Sequence, residues 1–152
     1  MGQLLYDLKY GTRTNEQKQQ IANDLADTAA QFVQHTWRLA IDAIVPVPPS
    51  NIRAVQPVAL VAEVLAGRLG IPLCKNCVAK SKQTPQLKDV KDYAKRKDVL
   101  KGAFTADPGL CAGKTLLLID DLHGSGATVG HIVEVLQAAG VKAVHLLTLT
   151  TK

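Results

Sequence analysis

Aromatic residues make up only 4% of this 152-residue chain, with one Trp, three Tyr and two Phe. Bases of a single-stranded nucleic acid stack on aromatic rings, so the scarcity argues against a stacking groove. Eighteen Lys and Arg against thirteen Asp and Glu leave a formal charge of +5, which suits an anion but does not separate a small phosphate ester from a polynucleotide. No apolar run approaches the length of a membrane span and no signal-like segment is visible, so no membrane partner and a cytoplasmic location are expected. The three cysteines are an odd number, which fits a reducing compartment better than a disulfide framework. Cys74 and Cys77 form a C-x-x-C with no second pair or nearby histidine, so they cannot complete a tetrahedral zinc site. They follow Gly-Ile-Pro-Leu and lead into Val78 instead of opening a helix, and read as two thiols on a buried strand edge. No repeat or low-complexity tract is visible.

What the chain does have is apolar material. At 47% hydrophobic it can bury one core without metal or disulfide staples, and its length suits one domain. The densest information lies in residues 115 to 130. Leu116 to Ile119 is an uninterrupted apolar run, read as a short strand buried on both faces and stopping at Asp120 and Asp121. A small-residue turn through Gly124, Ser125, Gly126, Ala127 and Thr128 then leads into a helical pattern carrying Val129, Ile132, Val133, Val135 and Leu136. The carboxyl end of a parallel strand meeting the amino end of a helix is where open α/β sheets bind ligands, and where backbone N–H groups and the helix dipole favour phosphate. Two adjacent carboxylates raise each other's pKa unless a cation or donors compensate. Vicinal ribose hydroxyls and Mg²⁺ would supply both kinds of compensation; the alternative is a pair that merely caps the turn.

The flanking sequence alternates strands and helices. A short apolar segment from Leu4 to Gly11 reads as a small covering element. Ile21, Leu25, Ala29, Phe32 and Val33 share one helical face, predicting an amphipathic helix from about 16 to 37. Ile41 to Val47 reads as the first core strand, followed by the loop Pro48-Pro49-Ser50-Asn51-Ile52-Arg53. Pro57 is placed as the first residue of a helix that ends before Gly70, with Leu60, Val61, Val64, Leu65 and Leu69 as its apolar stripe. Ile71 to Val78 predicts a further strand, short or marginal because of Pro72. Residues 80 to 101 are rich in Lys and poor in apolar anchors, which predicts a long polar loop, either functional or a solvated excursion. Gly102 to Phe104 returns to ordered structure, and Val141 to Leu149 is the last strand. The expected class is therefore α/β: a single domain with a mainly parallel central sheet flanked by helices.

At this point the chain resembles a known family. Leu-Ile-Asp-Asp-Leu-His-Gly-Ser-Gly-Ala-Thr, ending at Thr128, is similar to the phosphoribosyl pyrophosphate (PRPP) signature of type I phosphoribosyltransferases. Leu8-Lys9-Tyr10, Val45-Pro46-Val47-Pro48, Thr84-Pro85-Gln86-Leu87 with Arg96, and Gly102-Ala103-Phe104 recur in that order in its ComF-like competence branch.

The resemblance implies one phosphoribosyltransferase-like domain over 1–152, with a hood at about 1–14 that selects the nucleophile and a mobile basic loop at about 80–101. Asp120 and Asp121 would hold the ribose hydroxyls, directly or around Mg²⁺, and His123, Gly124, Ser125, Gly126, Ala127 and Thr128 the 5-phosphate. Pro49, Ser50 and Arg53 would lie on the pyrophosphate side, and Lys80, Lys82 and Arg96 would close over the leaving group as catalytic cations. The implied reaction is Mg²⁺-dependent transfer of 5-phosphoribosyl from PRPP to a nitrogen nucleophile, with pyrophosphate released, in a protein expected to be a homodimer. Gly124 stands where the family more often has a threonine, and Arg53 is the one cation of the 48–53 loop, where ComF-like chains usually carry several. Accordingly, the second reading is a non-catalytic competence-related module that binds single-stranded DNA or a protein partner.

Overall fold

The core is built on the alternation along Thr115–His123, where Leu116 and Leu118 pack into one apolar cluster and Leu117 and Ile119 into another. All four are fully buried, because successive strand residues point to opposite faces and both faces here are covered. The computed structural model of the chain describes residues 2–83, 90, 92–123 and 126–151. In chain order its elements are α1 (Gly2–Tyr10), α2 (Asn15–Phe32), β1 (Ala43–Pro46), α3 (Pro57–Leu69), β2 (Val78–Lys80), α4 (Tyr93–Leu100), β3 (Phe104–Ala106), α5 (Pro108–Cys111), β4 (Thr115–His123), α6 (Ala127–Ala138) and β5 (Ala143–Thr151).

The central sheet is parallel, with order β1-β4-β5 and β4 at its centre. Helices α1, α2 and α3 contribute to the cluster that contains Leu117 and Ile119. The opposite cluster joins Leu116 and Leu118 to Ile132 and Leu136 of α6, to Leu100 of α4 and to the antiparallel ribbon β2–β3. The fold is thus the α/β class that the alternating pattern predicts.

Local chemistry explains the element ends. The Thr14 hydroxyl accepts from the Gln17 N–H at 3.2 Å while the Gln17 side chain accepts from the Thr14 N–H at 3.0 Å, a reciprocal cap that starts α2. The predicted helix over 16–37 ends in a wider π turn, Val33–Trp37, closed by Arg38 in the left-handed region at φ 49°. Trp37 packs edge-on to Phe32 there, with ring centres 5.1 Å apart. Pro57 opens α3 as expected, and Gly70 closes it at φ 65°, where a side chain would be strained.

Four expectations are corrected. The strand predicted over 71–78 is split: Leu73 makes a single parallel bridge to Ile44, and only Val78–Lys80 pairs further, with β3. Pro72 accounts for the break, since it accepts from the Ile44 N–H at 2.9 Å but has no N–H to donate. The polar stretch 80–101 is not one loop, because Lys80 ends a strand and 93–100 form α4, capped by the Asp92 carboxylate accepting from the Ala94 N–H at 2.9 Å. The signature strand does not stop at Ile119 but keeps pairing with β5 through Asp120↔Thr148 to His123↔Thr151. Finally, Cys74 and Cys77 form a disulfide, with Cα atoms 5.5 Å apart, instead of standing as thiols. Both ends of that turn are anchored: the Cys74 N–H donates to the Ile44 carbonyl at 2.8 Å, and the Cys77 carbonyl accepts from the Asp107 N–H at 3.1 Å. Cys111 is free and buried, and its thiol donates to the Asp107 carbonyl at 3.0 Å. Burial holds its pKa above the ordinary thiol value.

Because β4 is covered on both faces, Leu118→Ala should cost about 2–5 kcal/mol of stability in urea unfolding, whereas Thr14→Ala should cost about 1 kcal/mol. Equal costs would contradict the central place given to β4.

Candidate functional site

A cavity of about 580 Å³ opens at the carboxyl end of the central sheet. Its floor is Pro46 to Pro49, leading out of β1, together with Asp120 and Asp121 of β4 and Thr128 in the first turn of α6. Lys75, Lys80 and Phe104, from the turn and the ribbon, line the same cavity. Sheet geometry therefore brings the carboxylates, the start of a helix and several cations to one opening.

The acidic pair is held by its own backbone and by α1. The Asp121 N–H donates to the Asp120 carboxylate at 2.8 Å. Strand alternation then sends Asp121 toward the face covered by α1, where it forms an ion pair with Lys9. Neither side chain is strongly exposed, at 17% for Lys9 and 23% for Asp121. Lys9 reaches this point because Leu5 and Leu8 bury the other face of α1.

Gly126, at φ 73°, is the N-cap residue of α6 and makes no side-chain cap of its own. The first turn of α6 contains no acidic residue, so its positive end is not neutralised from within the helix. The Thr128 side chain lines the opening, while Ala127 packs into the core at 4% exposed. Gly124 and Ser125 of the expected phosphate loop lie outside the described residues. His123 pairs through its backbone with Thr151, and the side-chain role considered for it likewise falls outside.

The loop after β1 is braced locally. The Gln56 side chain donates to the Asn51 carbonyl at 3.2 Å and to the Arg53 carbonyl at 3.4 Å. Pro49, Ser50 and Arg53 all line the cavity, and the Arg53 guanidinium lies 5.3 Å from the centre of the Tyr10 ring. Of the three expected cations in the basic segment, Lys80 lines the cavity, whereas Lys82 and Arg96 are not among its described lining residues. Arg96 instead donates through Nε to the Val90 carbonyl at 2.5 Å. Two further cations stand at the cavity beyond those expected from the sequence. Lys9 lies in the segment expected to be the nucleophile-selecting hood, and Lys75 lies inside the C-x-x-C; Lys75 lines the cavity and pairs with Glu63 at 3.0 Å.

The phosphoribosyl transferase domain model matches residues 14–152. The chain belongs to this family. Its fold is similar to that of the glutamine PRPP amidotransferase from B. subtilis, with a TM-score of 0.64 and 22% identity over 96% of this chain. It is also similar to a structure described as the allosteric regulatory enzyme of purine biosynthesis, with a TM-score of 0.63 and 22% identity over 96% of this chain. This phosphoribosyltransferase domain spans about 30% of the length of each of those two chains. Adenine phosphoribosyltransferase from Saccharomyces cerevisiae is matched at a TM-score of 0.53 and 16% identity, covering 88% of this chain and 69% of that one. No curated protein sequence matches the chain significantly. No helix among the described residues is long and apolar enough to cross a membrane.

In this phosphoribosyltransferase domain the segment bearing Arg96 is tied to the signature helix. Lys97 of α4 meets Glu134 of α6 at 2.9 Å, and His131 lies 3.5 Å from the same carboxylate. The Lys97 hydrogen bond holds the Glu134 carboxyl below its ordinary value of 4.5. A depressed carboxylate pKa contributes above the ordinary value and is lost as pH falls through the depressed one. Amide-exchange protection of α4, corrected for intrinsic rates, should therefore drop below about pH 4.5 in the wild type. Glu134→Gln should show the lower protection at every pH; an unchanged pH profile in that variant would rule out the clasp.

Proposed function

We propose that this domain binds PRPP and transfers its 5-phosphoribosyl group to a nitrogen nucleophile, releasing pyrophosphate, as a ComF-like member of its family. The observation that supports this most is the single cavity in which Asp120 and Asp121, the start of α6 at Thr128, and the loop bearing Arg53 face one another. Carboxylates suit the ribose hydroxyls, and a helix N-terminus suits the 5-phosphate. Arg53, Lys75 and Lys80 line the same cavity and supply the positive charge that a departing pyrophosphate needs. Residues 1–14 act as the hood and the 80–101 segment as the cover in the same reading.

The donor set fits Mg²⁺ in a particular way. Among the described residues no group of three or more His, Cys, Asp or Glu is arranged to hold a metal. Mg²⁺ is commonly bound by one or two carboxylates with substrate oxygens completing its shell, and Asp120 and Asp121 suit that role. When bound, Mg²⁺ offsets charge on the leaving pyrophosphate. The remaining work falls to the chain. Asp120 orients the ribose and stabilises positive charge developing on the sugar, and Thr128 fixes the phosphate end. Arg53 and the lysines stabilise the departing anion, and cover from the 80–101 segment excludes water.

Calorimetry with PRPP and Mg²⁺ tests the binding half. Wild type should bind, and Asp120→Asn and Asp121→Asn should each weaken binding at least about tenfold, the scale of losing charge-assisted hydrogen bonds. Absence of binding in the wild type would overturn the reading. Pyrophosphate release across a panel of nucleobases and amines tests the transfer half; PRPP binding without release under any of them would leave a non-catalytic binding module.

A further inference from the structure

The ion pair between Lys9 and Asp121 has a consequence for metal demand. The ammonium offsets the negative charge of Asp121. The ammonium is delivered by a well-fixed element: Leu5 and Leu8 anchor α1 in the core at 3% and 1% exposed, and the Gly11 N–H closes the helix on the Asp7 carbonyl at 2.9 Å. A Cβ at Gly11 would meet that carbonyl at 2.5 Å, so the chain leaves α1 by a tight path immediately beyond Lys9 and Tyr10. Lys9 is therefore built into the wall of the cavity, and its side chain is 17% exposed.

We propose that Lys9 is the resident counter-ion of Asp121, offsetting its charge so that the site binds PRPP with a reduced requirement for Mg²⁺. The ligand in this statement rests on the PRPP reading; the neutralisation of Asp121 rests on the ion pair alone. Lys9 is a positioning residue here, acting through Asp121, and the role demands positive charge more than a particular side-chain shape.

Lys9→Met keeps the apolar stem and removes the charge, while Lys9→Arg keeps the charge. With Mn²⁺ alone as probe, calorimetry should show Lys9→Met binding the ion roughly tenfold more tightly than wild type, with Lys9→Arg unchanged. Equal Mn²⁺ affinity in wild type and Lys9→Met overturns the proposal. With PRPP, Lys9→Met should lose about tenfold in affinity in chelator and recover it in saturating Mg²⁺. A loss of the same size at every Mg²⁺ concentration also overturns it, because packing damage is indifferent to metal. If none of the three proteins binds PRPP yet the Mn²⁺ difference is present, the PRPP reading fails and the counter-ion assignment stands. Circular dichroism and thermal unfolding of Lys9→Arg and Lys9→Met exclude simple misfolding.

Discussion

Strand alternation in β4 is the constraint on which the rest depends. Four residues, Leu116 to Ile119, must bury on alternate faces, so both sides of the sheet need cover. The helices supply it, α1 to α3 on one face and α6 on the other. The same alternation continues past the core, since β4 stays paired with β5 through Asp120 and beyond. Asp121 is thereby committed to the α1 face. A carboxylate at that place needs a positive partner, and the element that covers the face provides Lys9. Core packing and site electrostatics follow from one two-residue period.

The end of α1 also joins two parts of the cavity that are distant in the chain. Lys9 faces the acidic pair, and the next residue, Tyr10, carries the Arg53 guanidinium against its ring. Tyr6 lies beside Tyr10 with ring centres 5.2 Å apart, and both rings are largely exposed. A short helix with little intrinsic stability of its own is thus fixed by two buried leucines and by what it touches in the site. Displacing it would disturb the acidic pair and the 48–53 loop together.

Much of this was legible in the sequence, wherever one periodicity or one turn residue decides the outcome. The apolar run of β4, the stripe of α3 between Pro57 and Gly70, and the helix that begins at Ala127 all stand where their patterns place them. Long-range pairing was not legible. Val78–Lys80 and Phe104–Ala106 are three-residue strands too short to show alternation, and they meet only after an intervening helix. Alanines hid part of the core: Ala22, Ala26 and Ala30 of α2 are buried, although a methyl group carries too weak a hydrophobic signal to mark a face. Lys9 and Asp121 stand near opposite ends of the chain, and nothing local in either segment announces the pair. A family resemblance identified the acidic residues, but it could not say what neutralises them.

The ribbon raises a related point about where the site's cations come from. Lys75 and Lys80 line the cavity from a segment that is anchored to the β1 residue Ile44 through Pro72 and the Cys74 N–H. From there the disulfide to Cys77 crosses the turn, and Cys77 begins the run into β2, whose Lys80 pairs with Phe104. The path from β1 to Lys80 is therefore a chain of short connections, and the lysines inherit their places from the sheet. Beyond Lys80 the chain returns through α4, which the Lys97 to Glu134 pair ties to α6. Both ends of the basic segment are thus referred back to elements that build the floor of the cavity.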